Sequence, residues 1–245
     1  MAGTQAALAA QQGFVADATI LEAPRGFLSA MGGQAVDEIT QGFGAPWDIT
    51  TDMALKLMPG AHPFHAVAEA AAEAGRAGDV RVEDIERVSV SAAVQWTNFG
   101  GAPHPRNLVD AAHSLVYFVA ASIVDRGFGW DALTQARMED PVIAALQDRV
   151  VFDPEPPPLP DRFVHRHGGT VTIHLKNGTQ ISRTCTAARG SGPRGIAWSD
   201  VEAKYRRLVP LCGMPADQVE ESLRVVKLFD QAPDVAALTR LLTLR

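Results

Sequence analysis

Polar and apolar positions alternate most clearly at residues 85–93, where Ile85, Val88 and Val90 are separated by Glu86, Arg87, Ser89 and Ser91. A period near two turns one set of side chains to a core and the other to water, so a half-buried strand is predicted. Residues 169–187 read as a hairpin, with Thr170-Val171-Thr172-Ile173-His174-Leu175 on one arm and Gln180-Ile181 on the other. Asn177-Gly178 between them is the usual signal for a type I′ turn. Val150-Val151-Phe152 reads as a further strand. Helical spacing dominates elsewhere. At 107–126 the apolar residues Leu108, Val109, Ala112, Leu115, Val116, Val119, Ala120 and Ile123 run nearly all round the axis. One long buried helix is therefore predicted there. Residues 63–74 predict a helix with a small-residue face of Val67, Ala70, Ala71 and Ala74, which allows close packing.

Shorter helices are predicted at 4–12, ended by Gly13, and at 24–31, stopped by Gly32-Gly33. Others are predicted at 130–138, 141–146, 215–230 and 235–244. Ser199-Asp200-Val201-Glu202 reads as a capping box opening a helix to about residue 209. Residues 49–55 read as extended. The stretch 153–161 holds five prolines and excludes both helix and central strand. The fold class expected is α+β.

Composition narrows the function classes. With 245 residues, 47% hydrophobic and 20% charged, the chain can bury a sizeable core. A net charge of −6 argues against a general nucleic-acid binder, which carries a basic face. The start lacks the basic and apolar runs of a secretory leader, and no stretch reaches the ~20 apolar residues of a membrane span. A cytoplasmic protein away from the membrane is expected. Cys185 and Cys212 show no metal-ligand spacing and are expected to be buried free thiols. No metal site is expected, because neither a His-x-x-x-His helix nor an acidic helix occurs. The glycine-rich loop 189–195 lacks the lysine of a phosphate-binding loop and has Pro193 in its middle.

The stretch with the most chemistry is Lys56-Leu57-Met58-Pro59-Gly60-Ala61-His62-Pro63-Phe64-His65. Pro59 and Pro63 fix φ and Gly60 frees it, so the shape of the loop is strongly specified. His65 falls at the mouth of a helix, where unpaired N–H groups favour an anion. Lys56, His62 and His65 together can meet a carboxylate; the plainer account is a snorkelling lysine and a helix-opening histidine. On the helix predicted at 107–126, His113 and Tyr117 stand four apart and share a face, with Ser114 close to it. A buried tyrosine must satisfy its hydroxyl, so a hydrogen-bonded core residue is the plain reading there. His104, His165, His167 and His174 match no motif, and His174 is expected to face solvent on its strand.

Four ordered blocks carry a resemblance. Lys56-x-x-Pro59 followed by His65 opening an alanine-rich helix resembles the MmgE/PrpD family. Asp110-Ala111-Ala112-His113-Ser114-Leu115-Val116-Tyr117 is similar to that family's Asp-x-x-His-Ser-x-x-Tyr helix. Gly13-Phe14 and Ile20-Leu21-Glu22-Ala23-Pro24-Arg25-Gly26-Phe27 resemble its early "GFTGP…ILEGPRGF" segment. Arg189-Gly190, then Trp198-Ser199-Asp200-Val201 and Lys204-Tyr205, resemble its penultimate loop and following helix.

The resemblance implies dehydration, decarboxylation or epimerisation of di- or tricarboxylic acids by α-proton chemistry, without metal or other cofactor. It implies Lys56, His65 and Tyr117 as catalytic residues and His62, His113 and Ser114 as substrate-binding residues. Decarboxylating members carry a histidine at the place of Ala61, and here His62 stands one residue later. It also implies that residues 1–48 are the end of an all-helical domain and 49–190 a smaller, lid-like α/β domain with an antiparallel sheet. Residues 191–245 would then be C-terminal helices returning to the helical domain. Full-length members carry a further helical half with acidic, histidine and lysine motifs. The chain is therefore expected to be the C-terminal half of a split lyase, in a homo- or hetero-oligomer whose second subunit supplies that half. The alternatives are an epimerase or isomerase of the same family and a non-catalytic binding subunit.

Overall fold

The computed structural model describes residues 2–33, 41–42, 44–45, 53–78, 80–159 and 167–243. The chain divides into two compact units, Met1–Trp47 and Asp48–Arg245. The first unit holds helix α1 (Ala2–Gln11) and a short α2 (Phe27–Ala30). The helix expected over 24–31 shrinks to that one turn, because the backbone ahead of it folds back: Phe27 N–H donates to Ile20 O at 2.7 Å and Leu28 N–H to Leu21 O at 3.2 Å. Gly26 sits where a Cβ would lie 2.3 Å from Ile20 O, which only glycine allows.

In the second unit α3 (His65–Arg76) follows a 3₁₀ turn, His62–Phe64. Strand β1 (Ile85–Ala92) follows, then α4 (Leu108–Ala112), α5 (Leu115–Val124), α6 (Gln135–Met138) and α7 (Pro141–Gln147). Next come β2 (Val150–Phe152), β3 (Gly169–Leu175), β4 (Gln180–Cys185), α8 (Trp198–Leu208), α9 (Ala216–Lys227) and α10 (Ala236–Thr239). Among the described residues the strands form one four-stranded sheet in the order β2-β1-β3-β4, so the fold is α+β. Helix α3 packs on β3, β4 and α5. Its small face lets α5 come so close that a Cβ on Gly75 would lie 2.8 Å from Ile123 O. Val67, Ile85, Val88, Val90, Tyr117, Phe118, Val171 and Ile173 fill the core beneath. The other side of the sheet is polar, with Thr170 paired to Thr184, Thr172 to Ser182 and Ser89 to His174 through their side chains.

The expected antiparallel sheet is corrected to a mixed one: β1 and β3, and β3 and β4, pair antiparallel, but β1 and β2 pair parallel with Val88 opposite Val150. A parallel pair needs a long crossover, and helices α4 to α7 provide it. The hairpin turn is also different in kind. Gly178 N–H donates to Leu175 O, Leu175 N–H to Thr179 O, and Gly178 has φ +85°, while Asn177 does not have positive φ. That is a three-residue loop closed by a glycine bulge rather than a type I′ turn. The supposed capping box at Ser199 does not cap: α8 starts one residue earlier, and its N-cap, Ala197, has no side chain for the task. Cys185 is buried as expected, but Cys212 is exposed. Residues 49–52, 160–161 and His165 lie outside the described residues.

The single helix predicted at 107–126 is two. Helix α4 ends at Ala112, His113 adopts φ −122° and ψ 10°, and Ser114 becomes the N-cap of α5. Ser114 is fully buried and its hydroxyl accepts from Tyr117 N–H at 3.2 Å. Ser114→Ala should therefore lower stability by about 1–2 kcal/mol in urea unfolding, the usual loss for a helix cap. The break also takes His113 off the Tyr117 face, since the two no longer share one helix.

Candidate active site

Lys56, His62 and His65 come together because the loop between them is closed at both ends. Gly60 takes φ +85°, Ala61 N–H donates to Ala112 O at 2.8 Å, and Lys56 Nζ donates to Gly60 O at 2.9 Å. Pro63 is preorganised in the first turn of the 3₁₀ segment, which places His62 before it and His65 at the start of α3. The His62 and His65 rings meet edge to face with centroids 5.1 Å apart.

The three residues sit at different depths. Lys56 is exposed, His62 half-buried and His65 only 1% exposed. Burial, followed by the nearby His62 and Lys56 charges, lowers the His65 pKa to about 3; hydrogen bonds to the Gly60 and Pro59 backbone oppose this. His65 is thus neutral near pH 7. Among the described residues its Nε2 is a buried nitrogen with no hydrogen-bond partner. The groups that solvent reaches are Lys56 and His62.

Two residues that the sequence did not single out join them. The His167 ring lies 4.9 Å from that of His62, edge to face, and Ser191 Oγ lies 3.3 Å from His62 Nε2. His167 matched no motif. Ser191 lay within a glycine-rich loop whose only visible signal was the match at Arg189-Gly190.

The other expected residues point elsewhere. Tyr117 is fully buried, and its hydroxyl donates to Ala132 O. Burial pushes its pKa up to about 12, with Arg137, Asp125 and Asp140 as the charges that act on it. Its hydroxyl therefore satisfies a core carbonyl. His113 Nδ1 pairs with Thr97 Oγ1 at 2.8 Å. Ser114 is occupied as the α5 cap. A cleft of about 580 Å³ is lined by Glu69, Arg76, Trp130, Arg194, Lys204 and Arg207 among others, and by none of Lys56, His62 and His65. Among the described residues no cluster of three or more His, Cys, Asp or Glu side chains is arranged for a metal ion. No described helix is long and apolar enough to cross a membrane.

The described structure is thus a mixed sheet with helices packed on it, and a lysine and histidines gathered where a short loop enters a helix. The MmgE/PrpD C-terminal domain matches residues 58–231, and the chain belongs to the MmgE/PrpD family. Cis-aconitate decarboxylase of Mus musculus is 26% identical over 88% of this chain and 48% of its own length. The Homo sapiens cis-aconitate decarboxylase is 24% identical over 98% of this chain and 50% of its own. The chain spans about half the length of these curated relatives. Those relatives are enzymes, and the family resemblance read from the four sequence blocks is borne out.

Proposed function

We propose that this chain is the C-terminal half of a lyase that acts on a di- or tricarboxylic acid by decarboxylation or dehydration, without a metal. The observation that carries the reading is the gathering of Lys56 and His62 at one loop, with His65 behind them. In decarboxylation the bond from carbon to a carboxylate breaks, CO₂ leaves, and the electron pair passes into a conjugated carboxylate before a proton returns to carbon. In dehydration the α proton leaves to a base and the β hydroxyl departs. Both routes build charge on a carboxylate, and a fixed cation beside it stabilises the transition state more than the ground state. Lys56 is that cation. His62 gives a second donor and an imidazole of the type that can pass a proton. The names of the relatives make a cis-aconitate-type unsaturated tricarboxylate the first substrate to try. Tyr117 and Ser114 support the site from the core, and half-buried His113 is held beside them by Thr97.

The rest of the site comes from a second body that carries the other half of the family fold. The exposed apolar residues of the first unit support this: Phe14 is 71% exposed, Phe27 54%, and Ile20 and Leu21 50% each. Large apolar side chains left exposed in this number suit an interface, and an obligate one buries above ~2,000 Å². In this reading residues 1–48 close a helical domain, 49–190 form the lid-like body and 191–245 return to the helical domain.

Purified chain with and without a candidate second half should be assayed for loss of the double-bond absorbance of an unsaturated tricarboxylate. Turnover is expected only in the assembled protein. Lys56→Ala should lower kcat/KM by about 10²–10³-fold, the loss typical of a charge-stabilising donor, and leave assembly intact. A 26.1 kDa monomer turning over alone at full rate would refute the half-site reading. Inversion of a stereocentre without loss of a group would move the chain to the epimerases.

A further inference from the structure

Ser191 carries a hydroxyl that the fold buries and presents to His62. It is 1% exposed, and its Oγ lies 3.3 Å from His62 Nε2. It precedes the 3₁₀ turn Gly192–Arg194 without capping it by its side chain; its carbonyl takes the N–H groups of Arg194 and Gly195 at 2.9 and 3.0 Å. The backbone therefore holds the turn and leaves the hydroxyl to the histidine.

Two tethers hold this loop against the Lys56 segment. Leu55 N–H donates to Gly190 O at 2.8 Å, one residue from Lys56. Gly190 has φ +81°, and a Cβ there would lie 2.3 Å from Leu55 O, so this contact requires glycine. The second tether is Glu69. One carboxylate oxygen accepts from Arg189 N–H at 2.8 Å and the other takes the Arg194 guanidinium. Glu69 follows His65 by four residues on α3, so one helix face bears both the buried histidine and the anchor of the loop. The Glu69 side chain is 14% exposed, which makes this pair less screened than a surface one.

We propose that Ser191 is a positioning residue that donates to His62 Nε2 and so keeps the ring proton on Nδ1, with Glu69 positioning Ser191 through the loop. The proposal rests on the reading of His62 as a substrate-facing group. It assigns His62 a defined donor nitrogen, as oriented histidines usually have when a second group bonds the far side of the ring. A free imidazole side chain prefers its proton on Nε2, so the tautomer compared between the wild type and Ser191→Ala reads whether Ser191 sets it.

Long-range ¹H–¹⁵N correlation of the full chain, with ¹⁵N-histidine at its 7 histidines, reads the tautomer without any turnover. His62 is assigned by loss of its signals in His62→Gln. The expected result is Nδ1–H at His62 in the wild type, moving toward Nε2–H in Ser191→Ala, with Glu69→Gln shifting the same signals part of the way. Ser191→Thr, which keeps a hydroxyl, should retain Nδ1–H. An Nε2–H ring in the wild type, or no change in Ser191→Ala with unchanged far-UV circular dichroism, overturns the role of Ser191. An unmoved His62 in Glu69→Gln overturns that of Glu69. In the assembled protein Ser191→Ala should lower kcat about tenfold with little change in KM. Failure of the Lys56→Ala test with the tautomer as expected would reject the substrate site and leave the positioning intact.

Discussion

Gly60→Ala is expected to destabilise the second unit by about 2–5 kcal/mol, a large part of the ~5–15 kcal/mol that holds an ordinary domain. Two effects add. Gly60 lies at φ +85°, in the left-handed region that strains a residue with a Cβ by about 1–2 kcal/mol. The new methyl would also meet Phe118 Cζ at 2.5 Å and Ala112 O at 3.0 Å. Phe118 cannot swing away, because it is fully buried, stacked on Phe128 at 4.2 Å and edge-on to Phe64 at 5.6 Å. Forcing such a core to yield typically adds about 1–3 kcal/mol. Gly178→Ala is the control. Gly178 has the same φ of +85° with nothing near its missing Cβ, so only the strain should appear. Urea unfolding of both variants separates the two contributions. Equal losses would show that Phe118 and the loop yield freely and that the Lys56 loop is not rigid. The site should suffer with the fold, since the Gly60 carbonyl holds Lys56 Nζ at 2.9 Å.

The second large effect is a loss of stability in mild acid that originates in one buried ring. The His65 pKa is lowered to about 3 in the folded chain from 6.5, chiefly by burial and then by the charges of His62 and Lys56. The unfolded chain takes up a proton below about pH 6.5 and the folded chain does not. The stability associated with neutral His65 is therefore fully present above that pH, and falls as pH drops toward the folded value. A tenfold difference in proton affinity between the two states is worth about 1.4 kcal/mol, so the whole window amounts to roughly 3–5 kcal/mol. Asp140, held below the usual carboxylate range, acts at lower pH, and Asp125, pushed up by burial, is common to both variants compared below, so their difference over about pH 6.5–4.5 reports the histidine. Over that range the wild type should lose about 2–3 kcal/mol more than His65→Phe, which keeps a ring and removes the proton site. Chemical denaturation at intervals across the range measures the two slopes. Parallel slopes would mean that His65 is protonated in the folded protein.

Much of the local structure was determined by the sequence itself. The alternation at Ile85 to Ser91 is enough for β1, because a two-residue period has only one way to separate core from water. The alanine-rich face of α3 foretold close packing on another helix, and Gly178 marked the hairpin. The specified shape of the loop from Lys56 to His65 was legible because its prolines and glycine act through the local backbone, independent of distant partners.

Tertiary structure decided what depends on partners far along the chain. Nothing in the apolar pattern interrupts residues 107–126, and the break after Ala112 arises where Ala61 N–H takes the Ala112 carbonyl and Ser114 starts a new helix. That break removed His113 and Tyr117 from a common face. The parallel pairing of β2 depends on which edge a crossover returns to, and side-chain periodicity does not record it. The depth of His65 below Lys56 and His62 follows from how α3 meets α5. Ser191 reaches His62 across 129 residues of chain, through a loop that Glu69 and Gly190 hold in place. Residue order gives the types available for chemistry; which nitrogen, hydroxyl or ammonium faces which is fixed by long-range packing and hydrogen bonds, whose partners no local pattern names.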